Sequence, residues 1–285
     1  MKNLARPVLA TACLVTMTAG AAAAVETELQ KGPDYFVLGA EILNQHYDQG
    51  VVRNENATAH ATATVRLWDI GLHGDGYFAL DSDNSQTPVV HSAETTEIRL
   101  GIDYLIEMPG YFQVLPHFNW IEYANVPNRP YKDDLRWLGI DAWYQTPVSG
   151  LEVGASLDYN AFYNGDRDNY HGQGTLASHA FTGSIGARQF WQHAPVDLTF
   201  WEVLNFGNGA YKEFLGRKDN AGATTIDFGI KYVTPFYLDE LWVVTRLELH
   251  IWAQKNDRDA ISAAGRDPTE VILGVGFEWI PGKQK

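Results

Sequence analysis

Apolar and polar residues alternate along most of this chain. Leu151, Val153, Ala155, Leu157, Tyr159 and Ala161 are separated by Glu152, Gly154, Ser156, Asp158 and Asn160. Ile98, Leu100, Ile102, Tyr104 and Ile106 run against Glu97, Arg99, Gly101, Asp103 and Glu107. Ile226, Phe228, Ile230 and Tyr232 run against Asp227, Gly229 and Lys231, and Thr245, Leu247, Leu249 and Ile251 against Arg246, Glu248 and His250. The last such segment sets Val271, Leu273, Val275, Phe277 and Trp279 against Glu270, Gly274, Gly276 and Glu278. A strand turns successive side chains to opposite faces, so each segment has one greasy and one polar face. This period predicts about twelve strands, over 34–47, 56–68, 71–81, 95–108, 111–123, 133–146, 151–163, 179–192, 196–207, 224–234, 241–253 and 268–280. No amphipathic helix of useful length follows residue 25. Most of the strands are ten to fourteen residues long. Strands of soluble proteins average ~5–6 residues, whereas a tilted strand crossing a bilayer needs roughly 9–11.

The connections alternate as well. Those after strands two, four, six, eight and ten are tight: around Ile70, Pro109-Gly110, Pro147 to Gly150, His193-Ala194-Pro195, and Pro235 to Glu240. The others are longer and polar, among them Ser82 to Glu94, Asn164 to Ser178, Asn208 to Ala223 and Gln254 to Asp267. A soluble sandwich has no reason to gather its short turns at one end, whereas a membrane barrel does. The expectation is an all-β chain forming a single antiparallel up-and-down transmembrane β-barrel, with both its ends on the periplasmic, short-turn side.

Aromatic residues gather near the predicted strand ends. Tyr35, Trp68, Tyr111, Trp143, Trp191, Phe236, Trp242 and Trp279 fall at the short-turn end. Tyr47, Phe78, Trp120, Tyr123, Trp137, Tyr163, Phe206 and Trp252 fall at the other. Interfacial girdles use Trp and Tyr because an apolar ring with a polar tip suits the headgroup level. Four places fit the pattern badly. Pro116 falls mid-strand and removes a ladder donor, which predicts a bulge. Glu202 shares the phase of Leu198 and Phe200, which calls for a register shift. The second strand offers only Ala59, Ala61, Ala63, Val65 and Leu67 as its greasy face. Tyr211 to Leu215 reads as a turn of helix.

The N-terminus has its own logic. Lys2 and Arg6 precede an apolar run from Pro7 to Met17, and small residues follow from Thr18 to Ala24. This reads as a cleaved secretory signal over 1–24, leaving a barrel domain over 25–285. The single cysteine, Cys13, lies in that signal. Ala10-Thr11-Ala12 before it lack the leucine of a lipoprotein acylation site. The mature chain thus carries no disulfide framework and no cysteine zinc site. Two cations and no anion leave with the signal, so the net charge moves from −14 to −16. Such acidity disfavours nucleic acid as a partner. The 45% hydrophobic content argues against disorder. No other stretch reaches the ~18 apolar residues of a spanning helix.

The alternation, the turn asymmetry and the final Val271-x-Leu273-x-Val275-x-Phe277-x-Trp279 together resemble Gram-negative outer-membrane β-barrels over nearly the whole mature chain. That resemblance implies an outer-membrane location, contact with outer-membrane lipids and lipopolysaccharide, and insertion by the barrel-assembly machinery. The chain departs from the pattern by running on through Ile280-Pro281-Gly282-Lys283-Gln284-Lys285 instead of stopping at an aromatic. Tyr47-x-x-Gly50 and the stretch Gly71 to Leu80 are similar to the first hairpins of the porins of the TorF family, which implies passive permeation.

The polar phase supplies the candidate chemistry. Its lumen-lining candidates are Arg66, Arg99, Asp103, Glu107, Asp141, Asp158, Arg188, Asp227, Lys231, Arg246, Glu248 and His250. Glu41, His73, Asp75, Glu97, His117, Glu152, Glu270 and Glu278 share that phase. About twenty ionisable groups of both signs imply a wet interior, since unpaired buried charge is costly. Either they line a water-filled pore or they knit into a network that plugs a narrow barrel. Twelve strands lie between filled barrels of about eight and open porins of 16–18, so size leaves both open. The reading taken forward is a porin-like channel for small hydrophilic solutes, with no cofactor and no metal. A lipid-modifying hydrolase, of phospholipase or lipid A deacylase type, is one alternative, and a plugged structural or adhesive barrel is another. The hydrolase needs a nucleophile and base on one face. Ser178 and His179 are adjacent, so in a strand they diverge. Arg246, Glu248 and His250 share a face but stand ~6–7 Å apart along the strand. The expectation is therefore a protein without catalysis. Asp81-x-Asp83-Asn84, Asp166-x-Asp168-Asn169 and Asp257-x-Asp259 offer oxygen ligands for calcium. None continues into a full calcium-loop pattern, so they read as solvated loops.

Overall fold

The computed structural model describes residues 34–48, 51–54, 57–80, 96–124, 134–160, 180–193, 196–209, 211, 221–236, 240–254, 258 and 268–281. Their strands are β1 (Asp34–Leu43), β2 (His46–Asp48), β3 (Val51–Asn54), β4 (Thr58–Leu67), β5 (Ile70–Ala79), β6 (Thr96–Tyr104), β7 (Ile106–Met108), β8 (Phe112–Ala124), β9 (Asp134–Gln145) and β10 (Leu151–Asn160). The chain continues with β11 (Ala180–His193), β12 (Val196–Gly207), β13 (Gly222–Pro235), β14 (Leu241–Trp252) and β15 (Thr269–Trp279). Every pairing is antiparallel, and each wall strand lies beside the next in sequence. The ring closes where β15 pairs with β1, Leu38 opposite Trp279 and Leu43 opposite Gly274. With β6 and β7 counted as one interrupted strand, and the β2–β3 hairpin set apart in the connection after β1, the wall is a closed barrel of twelve strands. Closure leaves no wall strand with an unpaired edge.

The two faces of the wall are chemically opposite. Leu38, Ile42, Leu72, Leu100, Ile102, Leu138, Ile140, Leu157, Ile185, Leu247, Leu273 and Val275 are exposed on the outer face. The residues between them turn inward, and most of the charged ones are buried. Alternation alone dictates this arrangement, because a one-residue slip would exchange the faces. Apolar residues are buried among these charges too. Val37, Val233, Trp242, Val244 and Ile280, with Tyr35 against them, form one cluster at the short-turn end. Leu43, Tyr77 and Ile272 form another towards the loop end.

The short turns show why they are short. Trp68, at φ +53°, reverses the chain between Leu67 and Ile70 with one further residue, Asp69. Gly110 and Tyr111 take φ +88° and +65° before β8. Gly150 takes φ +72°, and its carbonyl accepts from Phe190 N–H at 2.8 Å. A side chain there would run into the Phe190 carbonyl oxygen. Trp68 and Tyr111, each 75% exposed, project outward from turn positions that side-chain-bearing residues seldom occupy.

Several expectations need correction. The first predicted strand stops at Leu43 and resumes in β2. Pro116 makes no bulge: Asp103 opposite His117 and Ile106 opposite Val114 belong to one continuous register. The ladder is simply interrupted. Leu105 N–H donates to Asp69 O on the β5 side at 2.7 Å, so alternation turns Tyr104 towards β8, where Pro116 has no N–H to give. Glu202 likewise needs no shift to be placed. It lies in unbroken register between Ala187 and Phe228, on the outer face with Leu198 and Phe200. The irregularity comes later, between Leu204 and Phe206, where β13 carries an extra residue and both Thr224 and Thr225 are buried. Four of the proposed girdle aromatics, Trp137, Trp143, Trp242 and Trp252, are buried inside, because they share the phase of the charged rows. Tyr211 is helical and Asn208 Oδ1 accepts its N–H at 3.0 Å, while 212–215 lie outside the described residues, as do Tyr163, Ser178, His179 and the three acidic loop motifs.

Candidate functional site

The interior charges meet across the wall in a recurring way. Arg66 on β4, Gly71 on β5 and Asp103 on β6 stand opposite one another in one row. Gly71 has no side chain to intervene, so Arg66 Nη2 reaches Asp103 Oδ1 at 2.6 Å. His73 contacts the other oxygen of the same carboxylate. The same device recurs with His117 on β8, Gly139 on β9 and Asp158 on β10. His117 Nε2 lies 2.7 Å from Asp158 Oδ1 and its Nδ1 lies 3.7 Å from Asp141. Across β15, beside Gly274, Arg246 Nη2 reaches Glu41 at 3.1 Å. In each case a glycine on the middle strand lets charges from its two neighbours join.

A second set forms a chain along one wall. Arg246 also donates to Glu248 Oε1 at 3.2 Å. His250 lies 3.1 Å from the other oxygen of Glu248 and 2.9 Å from Asp227. Asn205 donates to Asp227 at 2.5 Å and to Thr225 at 3.0 Å. Lys231 Nζ bonds Glu278 at 2.5 Å, passing over β14. Farther round the wall, on β11 and β10, Arg188 grips Glu152 Oε2 through Nε and Nη2, at 2.8 and 2.7 Å. Its guanidinium lies 3.5 Å from the centre of the Trp143 ring, and that ring covers Gly154. Charge pairing and cation–π contact thus hold one arginine.

Of the candidates read from the sequence, Arg66, Asp103, Asp158, Arg188, Asp227, Lys231, Arg246, Glu248 and His250 are buried within these groups. Arg99 bonds Glu97 and lies 5.3 Å from the Tyr77 ring centre. Asp141 is half-buried beside His117. Glu107 is exposed, opposite Gln113 at the short-turn rim. The sequence reading passed over His46 and His60, whose rings stack on the two faces of Tyr77 at 3.8 and 4.2 Å. The phase of Arg66 along β4 carries the signal for His60. His46 follows the break at Asn44, where no period extends.

Among the described residues no group of three or more His, Cys, Asp or Glu side chains is placed to hold a metal ion. Ser156 and Ser184 hydrogen-bond each other at 2.7 Å. They open onto a recess at the loop end that Thr182, Asn205, Tyr211 and Thr224 also line.

No protein-family profile and no curated protein matches this sequence. Among solved structures, the chain is similar to an outer membrane channel from Pseudomonas putida F1, with 11% identity over 93% of this chain and 99% of that one, at a TM-score of 0.44. It is similar to the beta domain of the Bordetella autotransporter BrkA, with 8% identity over 88% and 99% of the two chains and a TM-score of 0.40. OccAB1 of Acinetobacter baumannii is 8% identical over 90% and 99%, with a TM-score of 0.38.

Proposed function

We propose that this protein is an outer-membrane channel that passes small hydrophilic solutes along a narrow, charged lumen. The observation that carries the reading is the division of the wall into an exposed apolar outside and a buried ionic inside. Apolar rows exposed right around a closed cylinder belong in hydrocarbon, where paired strands leave no backbone group unsatisfied. Ion pairs are a weak way to stabilise an interior that apolar side chains would fill equally well. Rows of fixed charge suit a path for polar solutes. The outer face rests among membrane lipids, with the loop end towards lipopolysaccharide. Planar-bilayer recording on the purified full chain tests this: stepwise conductance is expected, and silence at every voltage contradicts it.

A second reading, a plugged structural barrel, draws support from the deep burial of Arg66, Arg188, Lys231 and Arg246, each held by a carboxylate. Replacing Arg246 and Glu41 by alanine separates the two. A plug expects current only after the substitution, and a channel expects it before.

A further inference from the structure

We propose that the histidines of the interior decide which solutes the lumen admits: neutral, they leave it selective for cations, and protonated, they remove most of that preference. The proposal rests on the channel reading above. Among the described residues, the buried set holds eight carboxylates, four Arg or Lys, and four histidines. With neutral histidines four negative charges remain in the bore, and with four imidazolium ions the sum is zero. The half-buried partners Asp141, Glu152, Arg99 and His73 cancel one another when all four are charged.

The geometry couples each histidine to that excess. His46 Nε2 stands 3.9 Å from Glu97, which also holds Arg99. His60 lies between Asp75 at 3.3 Å and Glu41 at 4.0 Å, and Arg246 shares Glu41. His117 faces Asp158 and Asp141, with Asp103 opposite it in register and Arg66 beyond. His250 faces Asp227 and Glu248, with Glu270 opposite on β15 and Arg246 on the far oxygen of Glu248. Protonation therefore neutralises carboxylates where they stand, from β1, β5, β6, β9, β10, β13 and β14. A low-dielectric wall focuses any uncompensated charge on the bore and raises the local concentration of its counter-ion. Arg188–Glu152 and Lys231–Glu278 cancel internally without a histidine, so they are indifferent to this change. Asp197 and Glu270, half-buried at the two rims, add a fixed negative contribution in both states.

The test is the reversal potential across a planar bilayer under a potassium chloride gradient, for the wild-type chain and for His60→Gln/His117→Gln/His250→Gln. Recordings are made at about pH 5, where histidines beside carboxylates are charged, and at about pH 10, where most of that charge is gone. The wild type is expected to favour K⁺ over Cl⁻ only weakly in acid and several-fold in alkali. The triple variant, whose glutamines cannot be protonated, is expected to favour K⁺ several-fold at both. Should the triple variant fail to fold, His117→Gln alone is expected to retain part of the cation preference in acid. Current whose reversal potential ignores pH in the wild type overturns this inference while sparing the channel. A triple variant that follows the wild type also overturns it. Absence of wild-type current at either pH overturns the channel reading, and this inference with it.

Discussion

His117 and Asp158 sit on strands two apart, and they meet because Gly139 between them ends at its Cα. A Gly139→Val substitution puts methyl groups where the imidazole and carboxylate join. We expect a loss of about 1–3 kcal/mol, as overpacking costs, read from the denaturant midpoint of the folded barrel. An unchanged midpoint contradicts the arrangement. Arg188 is held by two hydrogen bonds to Glu152 and by the Trp143 ring. Arg188→Ala strands Glu152 in a wall that has closed around the pair, and the expected loss is about 3–5 kcal/mol in the same assay. The identity of the inward charges was readable from phase alone, because the polar positions of a period-two segment have only one face to occupy. Their partnerships were only half readable. The two-residue turn at Trp68-Asp69 sets Leu67 against Ile70, and so Arg66 against Gly71. Nothing local sets Gly71 against Asp103, since a long connection separates their strands and leaves register to the completed barrel.

At the level of strands, length and alternation determined nearly every element, and the exceptions have local causes. Pro116 splits β6 from β7 by withholding one hydrogen bond without moving the register. Pro116→Val is expected to join them, gaining about 0.5–1.5 kcal/mol and slowing amide exchange at Tyr104. Exchange as fast as in the parent chain would show that the interruption has another origin. The aromatic belts were misread where position along a strand was weighed above phase. Trp143 is two residues from Asp141 and Trp252 two from His250, and both turn inward with those charges. Trp68 and Trp191, by contrast, are exposed on the outside. In liposomes containing brominated lipid, single-tryptophan variants keeping Trp68 or Trp191 are expected to be quenched, and those keeping Trp143 or Trp252 to be spared. The opposite ranking contradicts the assignment of faces.

For the molecule as a whole, the claim is that oil touches one side of the wall and ions the other. Ile140 stands on the outer face near the middle of β9. Ile140→Arg is expected to cost about 2–4 kcal/mol of folding free energy in a bilayer, as a lipid-facing arginine does at mid-depth. Ser156, on the inner face of the neighbouring β10, is expected to accept arginine at less cost, and equal losses at both sites argue against a two-faced wall. The most direct measurement follows one strand residue by residue. Cys13 is the only cysteine, so on a background without it a single spin label can be moved along Val271 to Trp279 in the liposome-inserted barrel. Collisions with dissolved oxygen, which concentrates in hydrocarbon, are predicted to peak at 271, 273, 275, 277 and 279 and to fall at the positions between. Peaks at 272, 274, 276 and 278, or a profile with no period of two, would contradict the account.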